Sequence, residues 1–135
     1  MGSSDSNRMF AFEDLLVWQK AIDFAEVVIK TIDEFEAPRK HFRIIEQLEA
    51  ASISISSNIA EGKGRFSKKE FVHYLYIARG SLFETVSLLI LIRRLSCCRC
   101  IMGSGNCIQH LENRLYEQLS EEKWHPRCIT LQITA

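Results

Sequence analysis

The stretch Ser54–Arg65, SISSNIAEGKGR, decides the fold, because it joins a helix of small side chains to a corner with two glycines. Gly62 or Gly64 can adopt the positive φ that commonly ends a helix. Small residues in and just before the stretch let a neighbouring backbone approach closely; they are Ala50, Ala51, Ser52, Ser54, Ser56, Ser57 and Ala60. The stretch therefore predicts a tightly packed helix and a turn. It contains no catalytic motif.

The helix that ends in this stretch is predicted to span residues 39–61. Pro38 ends the preceding helix and can open this one. Its apolar face carries Ile44, Leu48, Ala51, Ile55 and Ile59. The serines could contact a phosphate or a nucleotide, but such residues more often bond back to carbonyls one turn earlier and permit close helix packing. We expect the packing role.

The first helix is predicted over residues 12–36, with apolar residues on more than one face. Its seam comprises Leu15, Trp18, Ile22, Ala25, Ile29 and Ile32. A second stripe lies beside this seam and comprises Val17, Phe24, Val28 and Phe35. Such a wide apolar arc indicates either a broad core within the chain or a subunit interface, and we favour the interface.

A third helix is predicted over residues 67–95, because Ser67 and Glu70 form the pattern of a capping box. The seam that follows comprises Phe71, Leu75, Ala78, Leu82, Thr85, Leu89 and Ile92. A neighbouring stripe comprises Tyr74, Ile77, Ser81, Leu88, Leu91 and Leu95. Gly80 lies within the helix, where glycine lowers helix stability by about 1 kcal/mol relative to alanine. Because glycine has no side chain, its presence here predicts a close helix crossing.

Beyond residue 95 the periodicity weakens. A shorter fourth helix is predicted at 107–123 from Ile108, Leu111, Leu115 and Leu119. Residues 1–11 are expected to be a disordered lead, and residues 126–135 a loose tail. Helices joined by short loops predict an all-α, antiparallel up-and-down four-helix bundle.

Size and composition indicate one soluble domain. The chain has 135 residues, of which 47% are hydrophobic and 25% charged, and 17 basic residues balance 17 acidic ones. No apolar run approaches the roughly 20 residues that span a bilayer, and the first residues lack an apolar signal region. Five cysteines do not indicate a secreted disulfide framework. We expect a cytoplasmic protein that is not in a membrane.

The sequence gives little support for a metal, cofactor or catalytic site. Glu70 with His73 and Glu122 with His125 have the helical spacing of di-metal bundles, but the first two helices place no carboxylate on their seams. Four cysteines and a nearby histidine also lack the paired spacing of a zinc site; they are Cys97, Cys98, Cys100, Cys107 and His110. No phosphate-binding glycine motif is present. We therefore expect no cofactor, no metal and no catalytic residue.

Basic residues gather at the two ends of the predicted bundle. The corner between the second and third helices carries Lys63, Arg65, Lys68 and Lys69. The opposite end carries Arg39, Lys40, Arg43, Arg93, Arg94 and Arg99. Either set could bind phosphates, although acidic residues at each end could neutralise them. The corner is the predicted nucleic-acid site.

Four segments resemble one bacterial family. They are FEDLLVWQKA at Phe12–Ala21, SNIAEGKGR at Ser57–Arg65, FxxxLxxARGSLFE at Phe71–Glu84 and the LLxLxRRL run that closes the third helix. The family is that of the four-helix-bundle proteins encoded in intervening sequences of large-subunit (23S) ribosomal RNA genes. The chain departs from the family pattern in two places. It has Glu49 and Ala50 where the family usually has a basic pair, and the family's fourth helix is hard to recognise beyond Leu95.

The resemblance implies a non-enzymatic, cytoplasmic homopentamer with a role involving RNA or another nucleic acid. Within its motifs, the positions expected to shape the fold are Asn58, Glu61, Gly62, Arg79 and Gly80. From the surplus apolar faces we expect self-association through Val17, Phe24, Val28, Tyr74, Ile77 and Leu88. Two alternatives are a protein-interaction subunit, for example one accessory to a reverse transcriptase, and a bundle metalloenzyme.

Overall fold

The computed structural model describes residues 9–33, 35–36, 41–95 and 99–100. They form α1 (Leu16–Asp33), β1 (Phe35–Glu36), α2 (Phe42–Lys63), α3 (Lys68–Leu95) and β2 (Arg99–Cys100). The predicted all-α class is confirmed, with two short paired strands added. The fourth helix predicted at 107–123 and the tail at 126–135 lie outside the described residues.

The three helices run up, down and up. Three side-chain hydrogen bonds between α2 and α3 join Gln47 to Glu84, Ser54 to Ser81, and Tyr74 to Glu61. Because residue numbers rise along one helix as they fall along the other, these helices are antiparallel. Strand β1 follows α1, strand β2 follows α3, and the two strands pair, so α1 and α3 end on the same side. Helix α2 packs against both.

The core follows the predicted seams of α2 and α3 closely. Every residue of the α3 seam is buried, including the fully buried Thr85, whose hydroxyl donates to the Ser81 carbonyl at 2.8 Å. On α2, the buried apolar residues are Ile45, Leu48, Ala51, Ile55 and Ile59. Ile45 thus takes the place of the predicted Ile44, which is only partly buried against the core. Each large aliphatic side chain buried here contributes about 1.5–3 kcal/mol to stability.

The predicted seam of α1 is wrong for most of its residues, because only Ala25 of that seam is buried. Phe24 is 3% exposed and Val28 is fully buried, so the second stripe supplies the core, whereas Ile22 of the predicted seam is 39% exposed. Leu15, Trp18 and Ile32 contact the core only at its edge. A helix with apolar residues over a wide arc can rotate without losing burial, and packing against α2 selects its orientation.

The ends of α1 also differ from the prediction. The helix begins at Leu16 rather than residue 12, since the amides of Glu13 and Leu15 donate to carbonyls three residues earlier in turns. It ends at Asp33, and Phe35 belongs to β1. Phe10, within the stretch expected to be a disordered lead, stacks on Phe12 with 5.5 Å between ring centroids.

The length and composition of helix α3 bear on the expectation that no segment spans a membrane. Of the helices described, it alone is long and apolar enough to cross a membrane, with a mean hydropathy of 1.6 in an 18-residue window. A third of that window is buried inside the molecule. Core helices of soluble proteins meet the same criterion, and α3 supplies one wall of the core described above.

Candidate nucleic-acid interface

The predicted site is a corner in which α2 ends at Lys63 and α3 begins at Lys68. The Gly64 amide donates to the carbonyls of Ala60 and Glu61 at 3.2 and 3.1 Å, and so closes α2. Gly64 has φ −73° and ψ −9°, and Gly62 lies within α2. The predicted positive φ at this corner is therefore wrong, because the chain turns without leaving the right-handed region.

Gly62 is required for a steric reason instead, because the neighbouring helix leaves no room for a side chain. A Cβ atom added there would lie 2.5 Å from the Cβ of Tyr74 and 3.0 Å from Cδ2 of Phe71. The Cβ of Tyr74 cannot rotate away, because it moves only with the α3 backbone. Gly62 therefore fixes how closely the end of α2 approaches α3.

Ser67 caps the start of α3 as the sequence predicts. The amide of Glu70 donates to Ser67 Oγ at 3.1 Å, and Ser67 Oγ donates to Glu70 Oε2 at 2.9 Å. Glu70 and His73 are both exposed, so this pair does not face a bundle interior. Within the described ranges, no group of three or more metal-ligating side chains comes together. Cys97, Cys98, Cys107 and His110 lie outside those ranges.

Three polar side chains brace the corner. Tyr74 donates its hydroxyl to Glu61 Oε1 at 2.8 Å, and Arg65 donates Nη2 to Tyr74 Oη at 2.6 Å and to Glu61 Oε1 at 2.5 Å. The guanidinium also lies 5.1 Å from the centroid of the Tyr74 ring. Hydrogen bonds from Tyr74, then Arg65, lower the pKa of Glu61. Arg65 is thus the basic partner of Glu61, while the Arg79 guanidinium lies 4.9 Å from the centroid of the Tyr76 ring.

The remaining cations of the corner face solvent. Lys63, Lys68 and Lys69 are exposed, and Lys63 Nζ lies 6.0 Å from the centroid of the Phe71 ring. Neither Lys68 nor Lys69 has an ion-pair partner among the residues that the structure describes. The corner thus separates into one braced arginine and three exposed lysines.

Sequence reasoning missed Phe66, which lies between Arg65 and the two lysines of α3. Its side chain is fully exposed, more so than any other large hydrophobic residue of the described ranges. The available signal was the run Arg65–Lys69, RFSKK, in which an aromatic residue interrupts a basic cluster without matching any helical seam.

Two of the six residues predicted to mediate self-association are buried inside the chain, and only one of the six is exposed. Phe24 and Val28 belong to the core of the chain itself, so that part of the prediction is wrong. Val17 and Leu88 are partly buried against the core, and Tyr74 braces the corner. Ile77 alone of this set is exposed.

A different apolar surface is exposed on α3. We call it the outer stripe; its residues follow at intervals of three or four and are Tyr76, Gly80, Phe83, Ser87 and Leu91. Phe83 is 63% exposed, and Tyr76 and Leu91 are exposed as well. A Cβ added at Gly80 would meet nothing within 4 Å in this part of the structure, so the predicted close crossing with α2 is wrong.

Asn58 has a structural role. Its Nδ2 donates to the Ser54 carbonyl at 2.7 Å and to Ser54 Oγ at 2.9 Å. Ser54 in turn pairs with Ser81 at 3.0 Å across the α2–α3 contact. The serines at 52, 56 and 57 donate back to carbonyls three or four residues earlier, as predicted.

Comparison with protein families assigns the chain. The sequence model of the 23S rRNA-intervening sequence protein family matches residues 13–118. The chain belongs to this family. The match extends beyond Leu95, although the family's fourth helix is hard to recognise in that segment, and it reaches into the predicted fourth helix. A search of curated proteins gave no significant match.

Proposed function

We propose that the chain is a non-enzymatic, cytoplasmic helical protein that associates with copies of itself and binds RNA. The single observation that carries the RNA proposal is the corner, where three exposed lysines and one arginine lie within seven residues. Membership of a family named after an rRNA-encoded segment supports a nucleic-acid role.

A fourth helix at 107–123 completes the proposed bundle. Helix α2 packs extensively against both α1 and α3, whereas α1 and α3 make little direct contact. In an up-and-down bundle these two helices are diagonal, and a fourth helix lies between them. The apolar periodicity of Ile108, Leu111, Leu115 and Leu119 suits that position.

Self-association is proposed through the outer stripe rather than through the residues first expected. Three large exposed side chains, Tyr76, Phe83 and Leu91, share this face of α3, and such a face is typical of a protein interface. The family resemblance favours a homopentamer. Repetition of the corner around a ring would strengthen binding to a polyanion through avidity.

The RNA proposal predicts a steep dependence on salt, because lysines that contact phosphates release counterions. A fluorescently labelled 16-nucleotide RNA of mixed sequence should bind at 50 mM salt and dissociate as salt rises. Replacing Lys68 and Lys69 with glutamine should weaken binding and reduce the steepness of log K against log salt by about 0.7 per lysine, the value for a single strand.

The matched control removes two cations from the opposite end, as R43Q/R94Q. Both arginines are exposed, and this variant should bind as the wild type does. Absence of binding at low salt would refute the RNA proposal. If R43Q/R94Q weakens binding and K68Q/K69Q does not, the corner is not the contact.

A second candidate function is that of a protein-interaction subunit without nucleic-acid contact. The exposed outer stripe is the observation that favours it, because a heterologous partner could cover the same side chains. Purification without chelator or nuclease, followed by mass spectrometry and an absorbance ratio, separates the two functions. A stoichiometric protein partner without nucleic acid would support this alternative.

A further inference from the structure

The position of Phe66 is unusual for a residue of its size. Its ring is fully exposed in the four-residue turn between α2 and α3, where burial would stabilise the fold by about 1.5–3 kcal/mol. Neighbouring aromatic residues Phe71 and Tyr74 pack beneath Gly62 instead. Phe66 therefore contributes nothing to the described core.

The surroundings of Phe66 are cationic on both sides along the chain. Arg65 precedes it, with its guanidinium held by Glu61 and Tyr74. Lys68 and Lys69 follow, exposed and without an ion-pair partner in the described ranges. The cap at Ser67 and the close contact at Gly62 fix the turn that displays the ring.

We propose that Phe66 is a stacking platform for an unpaired base, and that the corner binds single-stranded rather than duplex RNA. This inference rests on the proposed function. An exposed aromatic ring among cations combines the two contacts that non-specific single-strand binders use, namely base stacking and phosphate attraction. Every base offers a flat face, so the site needs no sequence preference.

A duplex does not fit the ring as well as a single strand does. Bases inside a helix already stack on one another, and the deep, narrow major groove of A-form RNA excludes side chains. A ring that projects from a turn therefore finds an accessible base face in a loop, an end or an unpaired strand. Duplex RNA would contact the lysines and leave Phe66 in solvent.

The test uses the full chain, two RNA probes and, for comparison, phosphatidylserine-containing vesicles. One RNA probe is a 16-nucleotide strand of mixed, unstructured sequence, and the other is the same strand annealed to its complement. The variant F66A should bind the single strand roughly 5- to 150-fold more weakly than the wild type, the range expected for loss of one stacked base. Its affinity for the duplex should be unchanged.

Graded variants separate stacking from general hydrophobicity. F66W and F66Y should retain binding, whereas F66L should resemble F66A, because leucine is apolar but has no flat face. The matched control is F42A, which removes an exposed phenylalanine beside Arg43 at the other end of α2. Melting curves of all variants should superimpose, since both rings are exposed.

Each outcome is decisive. Salt-sensitive binding of both probes that F66A leaves unchanged would overturn the stacking role while sparing the proposed function. If F66L binds the single strand as tightly as the wild type, general hydrophobicity rather than stacking explains the contact, and the stacking role is overturned as well. Binding of phosphatidylserine-containing vesicles but of neither RNA, lost in F66A, would identify a lipid surface and refute both proposals.

Discussion

Two glycines of the matching motifs have opposite environments. Gly62 lies where the end of α2 comes so close to α3 that any larger residue collides with the Cβ of Tyr74. Gly80 lies on the outer stripe with open space around it in the described structure. In the sequence, Gly62 indicates a helix end with positive φ and Gly80 a close helix crossing, and the described structure shows neither. The local packing alone determines what each contributes to stability.

This difference predicts opposite effects of alanine. G62A should lower the free energy of unfolding by about 1–3 kcal/mol, because the added methyl group overpacks the corner. G80A should raise it by up to about 1 kcal/mol, because alanine is the better helix former. Urea denaturation at one low protein concentration measures the free energy of unfolding of both variants. A stabilised G62A would contradict the close contact.

The bracing of the corner by Glu61 predicts a pH dependence. Because Tyr74 and Arg65 lower the pKa of Glu61 in the folded state, the unfolded chain binds a proton more readily. This stabilisation is present above about pH 4.5, the ordinary pKa of a glutamate, and is lost as pH falls through the lower, folded value.

Unfolding of E61Q between pH 3 and 7 tests that dependence. The variant should have a lower free energy of unfolding than the wild type at pH 7. The difference between the two proteins should disappear as the pH falls towards 3. E46Q, on an exposed position of the same helix, is the control and should follow the wild type. A stability gap for E61Q that persists unchanged to pH 3 would contradict the prediction.

At the scale of an element, the start of α3 depends on one side chain. Ser67 Oγ accepts the Glu70 amide, which otherwise has no partner within its helix. S67A should therefore lower the free energy of unfolding by about 1 kcal/mol. S87A removes a hydroxyl that only bonds back to the Phe83 carbonyl, and should be neutral or slightly stabilising. Equal effects would contradict the capping role.

At the scale of the whole molecule, two phenylalanines separate core from surface. Phe24 on α1 is buried in the core, whereas Phe83 on the outer stripe is exposed. F24A should lower the free energy of unfolding by about 3–5 kcal/mol, while F83A should leave it nearly unchanged in dilute, dissociated protein. Thermal and urea denaturation measure both.

Self-association, unlike the stability of the single chain, is predicted to depend on Phe83. F83E places a charge on the outer stripe, so sedimentation should show smaller particles with unchanged helical content. F42E, an equally exposed site at the start of α2, should keep the mass of the wild type. An F83E protein that sediments like the wild type would refute the proposed interface.

The sequence by itself determined the all-α class, the α2 and α3 seams, the cap at Ser67 and the family. Each of these depends on local periodicity or on side chains a few residues apart, which the chain encodes directly. Three features needed the tertiary structure, namely the orientation of α1, the steric role of Gly62 and the exposure of Phe66. The physical reason is that they depend on which residues of distant segments meet, and a wide apolar arc or a lone aromatic residue is compatible with several such arrangements.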